Sequence, residues 1–382
     1  MKQLLAYCLS IILCVSFTGC MENYLDLYPE DKITSASFPE NESDIKLLLN
    51  GVYAQLREKE VYNQGLFGFG ITDGATPNAF NWGTDEVFNK LGAGRLSSSD
   101  GGVVTYRWKR CYEIISRANY LLACMDLVDL SEEAKAKYSG ETHFLRGLAY
   151  SVLAETYGGV PIILTDISTE EARSLKRASL EETWQQALDD YEVAITNLGV
   201  DAPEPGRATK GAALGMKMRA YLYQGKYKEV LSCVEQIDAL KKYGLFHSYE
   251  GLFDPANENN KEVLFDIQYI EGENSQGSYI DQYCGTGTGS WTRGSRYVPT
   301  DDLVAAYETI DGSPVDPENP YENRDPRLGF TAVLPGSYFL GYRFPNYLYP
   351  GGAFNHAGNR LKHLSTRKYR IQDESKLPPS GQ

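Results

Sequence analysis

Residues 142–161 read THFLRGLAYSVLAETYGGVP. The apolar residues fall in rows of four, Phe144, Leu148 and Val152 on one and Leu145, Ala149, Leu153 and Tyr157 beside it, so the spacing predicts a helix. Together the rows form a broad stripe that leaves Arg146, Ser151 and Glu155 mainly for the other side, as in a helix packed between neighbours. Gly158, Gly159 and Pro161 end it. At an offset of 71 residues, MKMRAYLYQGKY over 216–227 sets Ala220 and Tyr221 against Ala149 and Tyr150, and Gly225 again breaks the helix before another begins.

Before this stretch, residues 1–19 carry one Lys, an apolar run from Leu4 to Phe17, and small residues just ahead of Cys20. They read as an export signal too short to span a bilayer comfortably. The ending FTGC looks like a bacterial lipobox, which would make Cys20 the lipid-bearing first residue of the mature chain. The alternative is an ordinary secretory signal that contains a cysteine. Residues 20–42 are polar, with Pro29 and Pro39, and read as a lipid-anchored tether. No later stretch approaches membrane-spanning length, so the expectation is an exported body tethered at one end.

About 360 residues follow the signal, enough for one large domain or two closely packed ones. A net charge of -14 argues against nucleic acid as a partner, since phosphate binding needs a basic patch. Beyond Cys20 lie Cys111, Cys124, Cys233 and Cys284. Cys111 and Cys124 share one predicted helix and stand about 20 Å apart at the helical rise, too far to bridge, and all four read as buried free thiols. The 28 tyrosines exceed what a helical core needs and suit a sugar-binding or interface surface.

Along the body, taken as 43–382, a helix is expected from Ser43 as N-cap, with Asp44 on its dipole and Ile45, Leu48, Leu49, Val52 and Leu56 as its apolar face. Residues 61–104 then turn to glycine, aromatics and Asn/Asp without helical period, a long insertion of the kind that carries function. Helix returns over 106–129 and again from Ser131; Ser179 with Glu182 has capping-box spacing; 209–224 and 227–240 pair about Gly225. The result is a mainly α, tetratricopeptide-like solenoid, its repeats mainly over 105–240, since the 71-residue offset is near twice the roughly 34-residue period of such helix pairs. Past Lys241, EVLFDIQYI over 262–270 reads as a short strand and 301–308 as one helix, with a second insertion over about 271–298.

These segments resemble the SusD/RagB family of Bacteroidetes outer-membrane lipoproteins. The resemblance rests on YLDLYP after Cys20, NGVYAQL, WKRCYEIISRANYLL, FLRGLAYSVLAETYGGVP, ATKGAALGMKMRAYLYQGKY, YEGLFD with EVLFDIQ, VPTDDLVAAYETIDG and NRDPRL, in that order. It implies a cell-surface oligosaccharide-binding protein that acts with a SusC-like TonB-dependent transporter, anchored in the outer membrane through its lipid, with the repeats toward the transporter and the insertions toward ligand. It implies no catalysis and no cofactor. It also implies a C-terminally shortened member, because nothing after Arg370 matches the apolar helix with which the family continues.

Other chemistries find little in the residues. His143, His247, His356 and His363 form no HExxH or other ligand pair; GTGTGS from Gly285 lacks the P-loop ending, and GFG at Gly68 lacks a third glycine. Among 51 acidic residues some pair will stand at glycosidase spacing by chance, so a surface hydrolase is an alternative without a motif. A helical-repeat adaptor for a protein partner is a second. Acids near Asp311 and Asp316 allow calcium, but no metal is expected. Arg324, Asp325 and Arg327 in NRDPRL read as a structural tie. The candidate ligand residues are Asn78 and Trp82 in the first insertion and Tyr283, Trp291 and Arg293 in the second, because sugars need flat aromatics for C–H faces and Asn or Arg for hydroxyl rims. Trp108 and Trp184, at helical core spacing, are set aside as core.

Overall fold

A computed structural model describes residues 38–57, 72–81, 90–97, 99–101, 103–269, 297–339, 342–343 and 365–366. The first helix, α1 (Glu42–Ala54), buries Ile45, Leu49 and Val52. Its N-cap is Asn41 rather than Ser43: the Asn41 side chain accepts from the backbone N–H groups of Ser43 and Asp44, and Ser43 lies inside the first turn. Asp44 is used as well, its carboxylate accepting from the Glu40 N–H at 2.9 Å.

Six helices follow between Val103 and Ala239: α2 (Val103–Cys124), α3 (Glu132–Tyr157), the short α4 (Thr169–Ser174), α5 (Leu180–Asn197), α6 (Lys210–Tyr223) and α7 (Tyr227–Ala239). Helix α2 starts three residues before the expected Tyr106 and stops at Cys124, short of Asp129. Each long helix packs on the one before it, α1 on α2 and α3, then α2 on α3, α3 on α5, α5 on α6 and α6 on α7. Between α6 and α7 only 224–226 intervene, a connection short enough to turn the two helices antiparallel, with Gly225 at φ 71 in the left-handed region that glycine takes at least cost. The solenoid reading holds.

Helix α3 is the centre of the stack. Ser131 caps its start, and Gly158, at φ 78, ends it by donating back to Ala154. Phe144, Leu145, Tyr150 and Leu153 are fully buried, yet Arg146 and Ser151, expected on an outer side, are buried too, and only Glu155 of that trio is exposed. The reason is polar pairing across helices. Arg146 reaches Asp190 of α5 through Nη2 at 2.7 Å and Nε at 3.1 Å, and donates from Nη1 to Asn119 of α2 at 2.8 Å; Ser151 meets the Tyr191 hydroxyl at 2.8 Å. The approach of α3 to α5 is close because position 147 is glycine: a Cβ there would stand 3.0 Å from the Tyr191 ring and 3.1 Å from the Ala187 carbonyl.

Trp184 is buried and Trp108 packs edge-on to Tyr157 with centroids 5.2 Å apart, as core spacing predicts. Cys111, Cys124 and Cys233 are buried free thiols, and burial pushes Cys111 up to about 12; Cys284 lies outside the described residues. After α7 the chain is irregular. Residues 262–269 form no strand, a correction to the expectation from EVLFDIQYI: they begin in a turn, with the Val263 N–H donating to the Asn260 carbonyl, and have no ladder partner among the described residues, while Phe265 and Ile267 pack on the helical core. The described ladders are three two-stranded pairs, β1 (Ala79–Asn81) with β2 (Tyr297–Pro299), β3 (Ala332–Val333) with β6 (Ser365–Thr366), and β4 (Tyr338–Phe339) with β5 (Tyr342–Arg343). Two short helices, α8 (Asp301–Ala306) and α9 (Arg327–Thr331), stand among them. Among the described residues no helix is long and apolar enough to cross a membrane.

Candidate functional site

The two insertions are joined by hydrogen bonds. Strands β1 and β2 run antiparallel with Ala79 opposite Pro299, Phe80 opposite Val298 and Asn81 opposite Tyr297. Just beyond the pair, the Thr300 N–H donates to the Asn78 carbonyl at 3.1 Å and its hydroxyl donates to the Pro77 carbonyl. The same hydroxyl accepts from the Leu303 N–H and so caps α8. One threonine therefore fixes both the end of the second insertion and the turn that carries Asn78. Asn78 is exposed, its N–H held by the Thr76 hydroxyl at 3.2 Å. Val298 is buried while Phe80, directly opposite it and so on the same face of the ladder, is 46% exposed, so β2 packs inward on this face and β1 is its open edge.

The insertions also leave the body side by side. Segment 58–71 departs after a 3₁₀ turn, Gln55–Arg57, at the end of α1, and segment 270–296 departs after Tyr269. Between these two roots lies a cavity of about 200 Å³ lined by Asn50, Tyr53, Arg57, Arg207, Phe265 and Gln268 among others. Its floor is a buried polar triad. Tyr53 donates to Glu141 of α3 at 2.7 Å and accepts from the Ala208 N–H at 2.9 Å; Arg207 stands 3.4 Å from Glu141 and over the Tyr53 ring at 4.9 Å. Burial pushes the Glu141 carboxyl up, against the Tyr53 hydrogen bond and the Arg207 charge, and burial with the Glu141 charge lifts Tyr53 well above its ordinary range. Tyr269 is pushed up to about 12 by burial, with Arg57 pulling the other way.

Of the expected site residues, Asn78 is placed at the junction of the insertions, while Trp82, Tyr283, Trp291, Arg293 and the anchor Cys20 lie outside the described residues. The junction, the cavity at the roots and Phe80 were not foreseen. Phe80 carried a signal, being the aromatic between Asn78 and Trp82. Arg324 is a structural tie, as read, though through carbonyls: Nη1 donates to Pro320 at 2.6 Å and Nε to Tyr307 at 3.1 Å, while Asp325 pairs with Arg327 inside its own turn. Asp311 and Asp316 hold their own turns by accepting from Ser313 and from Glu318 and Asn319, and no metal-holding group of acids, His and Cys occurs among the described residues.

A family model described as "Starch-binding associating with outer membrane" matches residues 23–222, and the SusD family model matches 261–378. The chain belongs to the SusD/RagB family. Among relatives, SusD-like protein P25 of Formosa agariphila is 26% identical over 321 residues, 78% of this chain and 58% of that protein. A SusD-like protein of Bacteroides ovatus is 23% identical over 66% of this chain and 48% of its own length. The chain thus spans about half the length of these SusD-like relatives. Two solved Bacteroides fragilis structures share the fold. A SusD-like carbohydrate-binding protein superposes with TM-score 0.73 at 26% identity, covering 88% of this chain and 68% of its own. A second SusD-like protein gives 0.77 at 25%, covering 93% and 73%. The mainly helical SusD-like architecture and the family's association with the outer membrane follow from these matches.

Proposed function

We propose that this chain is a cell-surface oligosaccharide-binding lipoprotein, anchored through a lipid on Cys20, that passes ligand to a SusC-like TonB-dependent transporter without making or breaking a bond. The observation that carries the ligand face is the pairing of β1 with β2. Two insertions far apart in sequence converge there, so side chains from both can serve one ligand. Asn78 at the junction, with Trp82, Tyr283, Trp291 and Arg293 on the flanking segments, supplies the chemistry sugars require: flat rings for C–H faces and planar polar groups for hydroxyls. The family description and the carbohydrate-binding relative in Bacteroides fragilis support the same ligand class. The solenoid, whose outer helices lie away from this junction in sequence, is the part offered to the transporter.

The test starts with a glycan array, followed by calorimetry on the best ligand with Trp82→Ala and Trp291→Ala combined. Loss of affinity with unchanged melting is expected, and full affinity in the folded double variant would rule the site out. Cys20→Ala should release the protein from the outer-membrane fraction and abolish fatty-acid labelling, since stable attachment needs the acyl chains. Mild-detergent capture from cells grown on the glycan should bring down a large outer-membrane barrel; capture without one counts against the transporter role.

A further inference from the structure

The cavity between the insertion roots holds a charge that makes no hydrogen bond or ion pair among the described residues. Arg207, on one wall, is fully engaged: Glu141 at 3.4 Å, Glu204 at 3.5 Å and Asn50 at 2.5 Å share its guanidinium. Arg57, on the other, has no hydrogen-bond or ion-pair partner among the described residues, although it is half-buried at the cavity edge. We infer that this cavity is a second site, the size of one sugar ring, that takes the carboxylate of a uronate, with Arg57 as its anion-binding residue.

Size, chemistry and position agree. At about 200 Å³ the space is smaller than the roughly 300–1,000 Å³ of pockets for larger ligands, and suits a single ring. A guanidinium presents a planar fork that matches a carboxylate with two parallel hydrogen bonds, and an unpaired one at a cavity edge gains most from such a partner. The Phe265 and Ile267 side chains give the apolar surface that a sugar's C–H face needs; Asn50, whose oxygen accepts from Arg207, keeps its N–H groups for hydroxyls, and Gln268, whose nitrogen donates to Asn259 and Asp266, keeps its oxygen. The triad beneath is satisfied internally: the Tyr53 hydroxyl has its donor and its acceptor, so the floor does not compete for the ligand. Arg57 and Gln268, which line the cavity, stand one and two residues from the segments 58–71 and 270–296 in the chain.

The inference rests on the saccharide reading above only for the class of ligand, and its test separates the two. With the full lipoprotein in detergent, titration with D-glucuronate, D-glucose and sulfate is followed by calorimetry. Glucuronate should bind at least about tenfold more tightly than glucose or sulfate, one such factor being roughly what a charge-assisted pair provides. Arg57→Ala should remove that advantage and Arg57→Lys, which keeps the charge and loses the fork, should remove part of it, both with unchanged melting. The combined Trp82→Ala and Trp291→Ala protein should still bind glucuronate, so failure of the upper ligand face leaves this site standing. Full glucuronate affinity in Arg57→Ala, or glucose or sulfate binding as tightly as glucuronate, overturns it.

Discussion

Two buried guanidinium groups show how differently the helical body and the irregular region after α7 are held. Arg146 in the body and Arg324 in the turns around α8 are 6% and 7% exposed. Arg146 is neutralised by a carboxylate, Asp190, brought from the middle of a neighbouring helix, where the backbone groups are spent on one another. Arg324 has no carboxylate partner among the described residues: it gathers the carbonyls of Val304, Tyr307 and Pro320. Two of these belong to the last turn and C-cap of α8, where carbonyls carry the negative end of the helix dipole; Val304 accepts from the Tyr307 N–H as well as from Arg324, and the Tyr307 carbonyl lies past the end of the helix. Regular structure therefore has to import a counter-charge, while irregular structure supplies dipoles from its own unpaired backbone. The same device recurs where α3 ends, with Arg177 donating to the Tyr157 and Gly159 carbonyls.

The difference predicts unequal penalties. Arg146→Ala leaves Asp190 buried without its partner, and removing one member of a buried pair costs about 3–5 kcal/mol. Urea unfolding should show the unfolding free energy falling by that amount, with the midpoint moving down accordingly, and Arg146→Met combined with Asp190→Leu should recover most of it, since an apolar pair of similar volume replaces buried ions at little loss. A single-variant cost below about 1 kcal/mol would break the comparison at its stronger end.

Arg324→Ala removes a cation from carbonyls, which water can solvate once the turn loosens, so the cost should be nearer 1–3 kcal/mol and local. Hydrogen exchange should quicken at Ile310, Asp325 and their neighbours while amides of α3 and α5 keep their protection. These two are informative because their N–H groups bridge the strands of this turn, to Asn323 and Glu308. If the global midpoint falls as far as it does for Arg146→Ala, the two regions form one cooperative unit and the distinction is lost.

What the sequence disclosed follows the same division. Helices announce themselves through short-range rules: the caps at Ser131, Ser179 and Thr209 and the stops at Gly158 and Gly225 each depend on residues within one turn, and all are present. Where two capping residues stand close together the rule is degenerate, and Asn41 won over Ser43 because its side chain reaches two N–H groups at once. The outward expectation for Arg146 failed because a periodic pattern counts polarity and cannot see a carboxylate 44 residues away. The strand at 262–270 failed for a like reason, since alternation marks a segment fit for a ladder but not whether a partner lies alongside. At the candidate site, Asn78 was legible as a planar polar residue in a glycine-rich stretch. The cavity was not, because Arg57, Arg207 and Phe265 come from three separate segments and only the packing of α1 on α3 brings them together.

The finest comparison uses one motif placed in both settings. Ser168 and Ser179 each begin a helix with a complete capping box, the serine hydroxyl accepting from the N3 backbone N–H while Glu171 or Glu182 accepts from the serine's own N–H, at 2.8 and 2.7 Å. Locally the two are the same, but α5 buries Trp184, Ala187, Leu188 and Tyr191, whereas α4 buries nothing. A cap stabilises the whole fold only as far as its helix unfolds together with the core. Ser179→Ala should therefore lower the global stability by about 1 kcal/mol, and Ser168→Ala should leave it unchanged within error while raising exchange at Glu171. The pH dependence gives a second readout. Hydrogen bonds from the Ser179 N–H and hydroxyl hold the Glu182 carboxyl below its ordinary 4.5, so its contribution is complete above that value and fades as the pH falls through the lowered folded value. The gap between wild type and Ser179→Ala should accordingly narrow on acidification below about 4.5, with no such trend for Ser168→Ala in the global transition. Equal losses for the two serines would mean that α4 and its connector unfold with the core, and the boundary between helical body and irregular surface would have to be drawn elsewhere.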